Sequence, residues 1–401
     1  MTDTTQNRGM CALTKALWGY GFRPFFLAAG VLATLLIPWW AGVLAWGLPL
    51  GTAWPPSLWH GHEMLFGFIV AAVAGFLLTA VPSWTGERGF AGWPLVLLAT
   101  LWGLARLMIA TSQLWPLPWV AGIDLLFIPG LAAFVVPPLV RSSNRNTPLL
   151  AVLLALWGSD LGFYWYLGHG EAGLARQALF VGIDIVLLLV TVIGGRIIPA
   201  FTSAALKHRG VSSQVRAWPG ITALAIVSML AVGLSDLWRP DSRAAGVVAA
   251  VAAVTQMVRL AQWRGTLTLR MPIVWVLHFG YLWLPVGLAL KGLFLLGGFG
   301  FASFYLHALT IGAATTMVVA VMTRASLGHT GRPLVVSRTT AYAYGLLSGA
   351  AVVRVFGPSF LPISYTWIVV VAAALWTAAF ALFLAVYAPI LLSPRADGKP
   401  G

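Results

Sequence analysis

The chain has 401 residues, of which 60% are hydrophobic and 8% are charged, and its formal net charge is +14. Soluble domains carry about 25% charged residues, and a water-soluble fold of this length needs polar side chains to cover its surface. The composition therefore excludes a soluble globular protein and indicates an integral membrane protein.

The positive charge is distributed along the chain rather than gathered in one block. Basic residues lie in short stretches between hydrophobic runs, where they orient a membrane protein during insertion. We therefore expect membrane lipid as a partner and no nucleic acid. Cys11 is the single cysteine, which excludes an internal disulfide framework and a cysteine-rich metal site.

Hydrophobic runs of about 20 residues can cross a bilayer as helices, whereas open sheet edges cannot face lipid. The chain therefore predicts an all-α polytopic membrane protein, with one domain over residues 1–401 and short tails at 1–23 and 390–401. In chain order, twelve predicted segments lie at 24–46, 58–83, 92–112, 116–140, 147–168, 174–199, 217–238, 242–261, 270–294, 300–323, 339–357 and 362–389.

Lysine and arginine predict the orientation of these segments. If the N-terminus is cytoplasmic, 18 of the 24 basic residues fall on the inner side, five fall on the outer side, and Arg106 lies within segment 3. Such a bias follows the positive-inside rule and supports an even number of spans. We expect both termini on the cytoplasmic side of the inner membrane.

Segments 2, 6 and 10 end in similar sequences, which begin at Thr79, Arg196 and Met322. All three segments would run from the outer to the inner side. Internal repeats define an architecture, so this similarity favours three units of four helices, with chance as the alternative.

Two histidines and a glutamate open segment 2, in the run Trp59-His60-Gly61-His62-Glu63. Imidazole is a good ligand for haem iron and copper. His60 and His62 diverge by about 200° on a helix, so they serve one site only if His60 lies in the cap. An interfacial pair with a capping role is the alternative. Glu63 is the candidate catalytic residue, which would orient a ligand histidine or pass protons.

Three further histidines are candidate metal ligands. His307 lies near the outer end of segment 10, and His278 lies nearer the middle of segment 9. A lone histidine in a span can instead hydrogen-bond to a neighbouring helix. His329 falls in the predicted cytoplasmic loop after segment 10, where a propionate, an anion or a lipid headgroup could bind, or where the loop is simply solvated.

Charged residues inside spans are costly and are candidates for function. Arg106, Asp124 and Asp160 map to the outer half of segments 3, 4 and 5, and Asp184 maps to mid-depth in segment 6. A structural ion-pair cluster is one interpretation, because paired charges cost less than isolated ones. Proton delivery or support of a haem propionate is the other, and Arg106 or Arg354 is placed for the propionate.

Long motifs across nearly the whole chain carry a family resemblance. They are Arg23-Pro-Phe-Phe26, Trp59-His-Gly-His-Glu63-Met-Leu-Phe-Gly67, Ala80-Val-Pro-Ser-Trp-Thr-Gly86, Gly194-Gly-Arg-Ile-Ile-Pro199-Ala-Phe-Thr202, His307-Ala-Leu-Thr-Ile-Gly312 and Met322-Thr-Arg-Ala-Ser-Leu-Gly-His329-Thr-Gly-Arg332-Pro. In these motifs the chain resembles the NnrS family of bacterial membrane proteins.

The resemblance implies a haem- and copper-containing protein of nitric oxide metabolism and nitrosative-stress defence, with b-type haem. The architecture also resembles that of haem–copper oxidases and nitric oxide reductases, in which histidines of helices 2 and 10 hold haem. Segments 6 and 7 lack the histidines of the usual copper site, so a standard binuclear site is not expected. Fold analogy is weak support for a function.

Three functional hypotheses follow. In the first, nitric oxide is bound or reduced at a haem ligated by His62 or His60 together with His307, while His278 and the other segment 2 histidine hold copper or supply a second axial group. The enzyme would then be an oxidoreductase resembling nitric oxide reductase, with an electron donor that the sequence does not identify. In the second, the protein transports a metal, haem or an iron–nitrosyl species. In the third, it signals through haem.

Overall fold

The computed structural model describes residues 15–211 and 215–399. These residues are almost wholly helical, and no strand occurs among them. The all-α prediction is confirmed. The physical reason is that a bilayer offers no hydrogen-bonding partner to the backbone, so each spanning segment must satisfy its own amide groups.

Residues 15–211 and 215–399 form twelve long helices at the twelve predicted segments. Eleven of them, in the described part of the chain, are long and apolar enough to cross a membrane. The other, α11, has 23 residues but is less apolar. The helices are α1 Phe22–Trp46, α2 Pro56–Thr85, α3 Trp93–Ala110, α4 Leu117–Arg141, α5 Leu149–Gly168, α6 Ala172–His208, α7 Pro219–Trp238, α8 Arg243–Ala261, α9 Pro272–Gly297, α10 Gly300–His329, α11 Arg338–Phe360 and α12 Tyr365–Leu392.

Proline and glycine set several helix boundaries. Pro56 and Pro272 begin α2 and α9, because proline fits the first helical position, where no backbone N–H is needed. Gly47, Gly86 and Gly298 follow the ends of α1, α2 and α9 with positive φ. Glycine adopts this left-handed conformation without a steric penalty, so it ends the helix.

Two helices extend past their predicted ends. Helix α6 continues to His208 and has 37 residues, about 55 Å at 1.5 Å per residue. That length exceeds the roughly 30 Å hydrocarbon core, so part of α6 projects beyond it. Helix α10 continues to His329, because Ser326 and Leu327 are buried and hold the last turns in place. His329 therefore ends a helix instead of lying in a loop.

The chain divides into two units. The first comprises Met1–Leu179, Met322–Leu334 and Phe380–Gly401, and the second comprises Phe180–Val321 and Val335–Ala379. Helices α1 to α5 belong to the first unit, and α7, α8, α9 and α11 belong to the second. The single domain and the threefold repeat stay predictions.

Aromatic packing and one buried arginine hold the first unit together. Phe25 and Phe26 of α1 are buried against Gly75 of α2, where an added Cβ would lie 2.8 Å from the Phe26 ring. The buried Arg23 donates hydrogen bonds to the carbonyl oxygens of Leu391, at 2.8 Å, and Ser393, at 2.6 Å. The start of α1 is thereby fastened to the end of α12.

Candidate functional site: a buried carboxylate–histidine cluster

His62 lies in the interior of the first unit and has no solvent exposure. Because α2 is already helical at Pro56–His62, His60 and His62 point in different directions. His60 stacks on Trp40 of α1, with ring centroids 4.6 Å apart and planes 8° from parallel. His62 instead faces α4 and α5.

Three carboxylates surround the His62 ring. Its Nε2 lies 3.1 Å from Asp160 Oδ1 and 3.2 Å from Asp124 Oδ2. Its Nδ1 lies 3.3 Å from Glu63 Oε1. Both ring nitrogens are therefore in contact with carboxylate oxygens.

Arg106 and Tyr164 complete this arrangement. Arg106 Nη1 donates to Glu63 Oε1 at 2.5 Å, and its Nη2 donates to Asp124 Oδ1. The Tyr164 hydroxyl donates to Asp124 Oδ2 at 2.9 Å. We call these six residues the His62 cluster: His62, Glu63, Arg106, Asp124, Asp160 and Tyr164.

Aromatic rings enclose the cluster. Trp54, Phe66 and Phe163 lie within 5.5 Å of the His62 ring, measured between centroids. Trp54 is only 7% exposed and packs edge-on against His62. The rings keep water away, which strengthens the electrostatic interactions inside.

The charges in the cluster do not balance. Glu63, Asp124 and Asp160 bring three negative charges, and Arg106 brings one positive charge. With a neutral imidazole, two negative charges are left without compensation in a buried site, which is costly. Either protons or a divalent cation must neutralise them.

The donor atoms of His62, Asp124 and Asp160 fit a metal ion. One imidazole nitrogen and one oxygen from each aspartate lie within 4.8 Å of one another. Ligand atoms that each lie about 2.1 Å from one ion are roughly 3 to 4 Å apart, as His62 Nε2 is from both aspartates. Nitrogen and carboxylate ligands suit iron, zinc and copper(II).

The same surroundings do not fit His62 as an axial ligand of haem. The two aspartates that contact Nε2 occupy the space that a porphyrin plane would need. Nδ1 is already in contact with Glu63. His62 is therefore suited to a single ion with oxygen ligands.

A π-helical turn follows a histidine in both α2 and α10. It covers the seven residues after His62 and the eight residues after His307. In each case a glycine follows five positions after the histidine, at Gly67 and at Gly312. Such turns inside α-helices occur frequently at functional sites.

Each of these glycines leaves room for a large side chain. A Cβ at Gly67 would lie 3.0 Å from Nη1 of Arg106, and one at Gly312 would lie 2.5 Å from Trp283. The Gly67 carbonyl oxygen accepts a hydrogen bond from Trp102 Nε1 at 3.0 Å. The π-turn of α2 therefore lets Arg106 approach the His62 cluster.

Helix α4 breaks at Leu126, two residues after Asp124. Its two parts are Leu117–Leu125 and Phe127–Arg141. Pro129 has no N–H to donate to the carbonyl of Leu125, four residues earlier. Trp157 Nε1 of α5 donates to that carbonyl at 3.0 Å instead, so the Leu125 carbonyl keeps a hydrogen-bond partner at the break.

The other predicted site residues lie outside the His62 cluster. His307 and His278 are in the second unit, and among the described residues neither belongs to a group of three possible metal ligands. His278 Nε2 lies 2.8 Å from Thr202 Oγ1. Arg354 donates to the Tyr365 hydroxyl at 2.7 Å and contacts the Phe304 ring. Their roles stay predictions.

His329 belongs to the first unit, away from the cluster. Its ring stacks on Tyr20, with centroids 5.8 Å apart, and lies 5.8 Å from the Phe22 ring. Its carbonyl oxygen accepts a hydrogen bond from Arg395. Arg395 also binds Asp397, and this hydrogen bond holds the pKa of the Asp397 carboxyl well below its usual range.

The sequence predicts Asp124 and Asp160 on the same side of the membrane as His62 but does not connect them to it. Tyr164 was missed altogether. The available signal was that each aspartate is a lone carboxylate in an apolar span, predicted on the same side as His62. Tyr164 offered no such signal, because a tyrosine near a helix end is typical of the membrane interface.

A comparison with curated proteins gives no match. The family model described as NnrS protein matches residues 16–395, nearly the whole chain. The match includes the motifs of α2, α6 and α10 and every member of the His62 cluster. The chain therefore belongs to the NnrS family and is a multi-pass membrane protein of the nitric oxide response.

Proposed function

We propose that this protein acts on nitric oxide in the bacterial inner membrane through a divalent metal ion held by His62, Asp124 and Asp160. The observation that carries the proposal is the uncompensated negative charge around His62. A divalent cation would neutralise both excess charges and would be bound by an imidazole nitrogen and two carboxylate oxygens. Protons could neutralise the same charges, and the metal content of the purified protein distinguishes the two cases.

Copper is the metal that the family resemblance suggests, and the nitrogen and oxygen donors accept it as copper(II). When bound, it would supply a redox-active centre for nitric oxide. Nitric oxide is small and apolar, so it can enter through lipid without a polar channel. The aromatic rings around His62 would keep water out of the site.

The remaining cluster residues would orient the ligands. Glu63 accepts from Arg106 and contacts Nδ1 of His62, so it fixes the ring with Nε2 toward the aspartates. Tyr164 and Arg106 hold the two oxygens of Asp124. Such outer partners raise ligand basicity and fix orientation, and their loss costs metal sites about 10- to 100-fold in affinity.

The proposal also includes haem binding and nitric oxide reduction, which rest on the family resemblance. It places both termini inside, which rests on the distribution of lysine and arginine. The haem ligand would be His60 or His307 rather than His62. Transport of a metal remains the alternative function, because a buried carboxylate–imidazole site could equally hold a metal as cargo.

The test is metal content and the optical spectrum of the detergent-purified chain, reloaded with copper(II) or iron(II). We expect stoichiometric metal in the wild type, loss of it in Asp160→Asn and His62→Ala, and a roughly 10- to 100-fold weaker affinity in Glu63→Gln. Exposed His169 provides the control, because His169→Ala removes an imidazole outside the cluster.

Addition of nitric oxide with and without reductant then addresses function. A change in the metal spectrum that disappears in Asp160→Asn supports nitric oxide chemistry at this site. Wild-type protein that takes up no metal, or an Asp160→Asn variant that binds it equally well, would show that protons neutralise the cluster. Metal-dependent flux in vesicles without a nitric oxide response would favour transport.

A further inference from the structure

A second group of charged side chains lies in the second unit, apart from the His62 cluster. Asp184 of α6, Asp236 of α7 and Lys291 of α9 come from three different helices and are all buried. Each lies within an otherwise apolar span. Charged groups in such positions are rare and are candidates for function by default.

Two of these three side chains form an ion pair, in which Lys291 Nζ donates to Asp236 Oδ2. Asp184 of α6 faces the same turn of α7. A Cβ added at Gly233, three residues before Asp236, would lie 3.6 Å from Cβ of Asp184. Residues three apart are neighbours on one face of a helix, so the Asp184 carboxyl lies beside the Asp236–Lys291 pair.

Charge balance in this buried group calls for one proton. Two aspartates and one lysine would together carry one excess negative charge if all three were ionised. Inside an apolar span that charge is costly, whereas one proton on the carboxyl pair removes it. Asp236 is paired with the Lys291 ammonium. Oδ2 of Asp184 is buried and has no hydrogen-bond partner among the described residues, so Asp184 is the carboxyl group that holds the proton more readily.

We propose that Asp184, Asp236 and Lys291 form a proton-exchange site that holds one proton on the Asp184–Asp236 carboxyl pair. On release, the carboxyl O–H bond breaks, the proton passes to water, and a carboxylate is left beside the Lys291 ammonium. Uptake reverses this step, and no electron is transferred. The ligand of this site is therefore a proton.

The site lies near the end of α7. Asp236 lies two residues before the end of that helix, and exposed Asp241 follows in the loop after it. The Lys291 ammonium lies 5.9 Å from the centre of the half-buried Tyr305 ring. Tyr305 and Asp241 are further titratable groups at this end of the helix.

Infrared spectroscopy tests the proposal, because a protonated carboxyl group has a carbonyl stretch that a carboxylate lacks. The probe is the full chain in detergent, titrated from neutral to alkaline pH. We expect the wild-type minus Asp184→Asn difference spectrum to contain this band, and the band to disappear reversibly at alkaline pH. Asp241→Asn, at the exposed loop position, should leave the band unchanged.

Lys291→Met is the second variant. Without the ammonium, the carboxyl pair loses the charge that favours ionisation, so the band should persist to higher pH than in the wild type. A band that is equally strong in wild type and in folded Asp184→Asn would overturn the proposal. So would a band that does not respond to Lys291→Met. Neither result depends on metal at His62, so this proposal and the proposed function fail separately.

Discussion

Replacement of Arg106 by methionine should lower the free energy of unfolding by about 3–5 kcal/mol, the usual cost of removing one partner from a buried ion pair. Arg106 is the guanidinium that both Glu63 and Asp124 contact in the interior of the first unit. Its loss leaves those carboxylates buried without compensation. Thermal or denaturant unfolding of the purified protein in detergent measures the change.

Arg141→Met is the matched control. Arg141 pairs with Glu87 at 3.3 Å, but both side chains are largely exposed, at 68% and 45%. Exposed pairs contribute about 0–1 kcal/mol, so this variant should unfold nearly as the wild type does. The double variant Arg106→Met with Asp124→Asn should recover part of the lost stability, since it removes one uncompensated charge. If Arg106→Met and Arg141→Met lowered the free energy of unfolding equally, burial would not set the contribution of these ion pairs to stability.

Substitution of Gly195 by alanine should destabilise the second unit by about 1–3 kcal/mol, the range for overpacking a close-packed interior. Gly195 of α6 lies directly against the guanidinium of the buried Arg259 in α8, and a Cβ there would collide with it. Arg259 would have to give up its hydrogen bonds to the Thr191 carbonyl, at 2.8 Å, and the Tyr281 hydroxyl, at 3.0 Å. Thermal unfolding in detergent again provides the measurement.

Gly345→Ala in α11 provides the comparison for this experiment. Within the described ranges, no side chain or distant backbone atom lies within 4 Å of a Cβ placed at Gly345. Alanine there should be neutral or stabilise by up to about 0.5–1 kcal/mol, because glycine in a helix carries an entropic cost. If Gly195→Ala were as stable as Gly345→Ala, the close approach of Arg259 to α6 would not be a constraint on the fold.

The His62 cluster and the Asp184 group differ in composition, which suggests that they bind different ligands. The His62 cluster combines an imidazole with three carboxylates and fits a metal ion. The Asp184 group combines two carboxyls with an ammonium, and we propose that it holds a proton. Both are costly to maintain in apolar surroundings, which is why each is a candidate for function rather than for stability.

The sequence by itself determined the class of the protein, its family and the positions of its twelve helices. The reason is that crossing a bilayer demands a minimum apolar length, and this demand acts on each segment separately. Pro56 and Pro272 also mark helix starts through local chemistry, which the sequence displays directly. Even the angular divergence of His60 and His62 followed from the helical repeat.

Only the tertiary structure decided which polar residues meet. Asp160 lies 98 positions from His62 in the chain, yet the two side chains are 3.1 Å apart. That contact depends on how α2 and α5 are rotated and shifted against each other. Helix packing in a membrane is set by side-chain fit over many residues at once. No local pattern encodes it, so the partners of His62 and of Asp184 appear only in the folded chain.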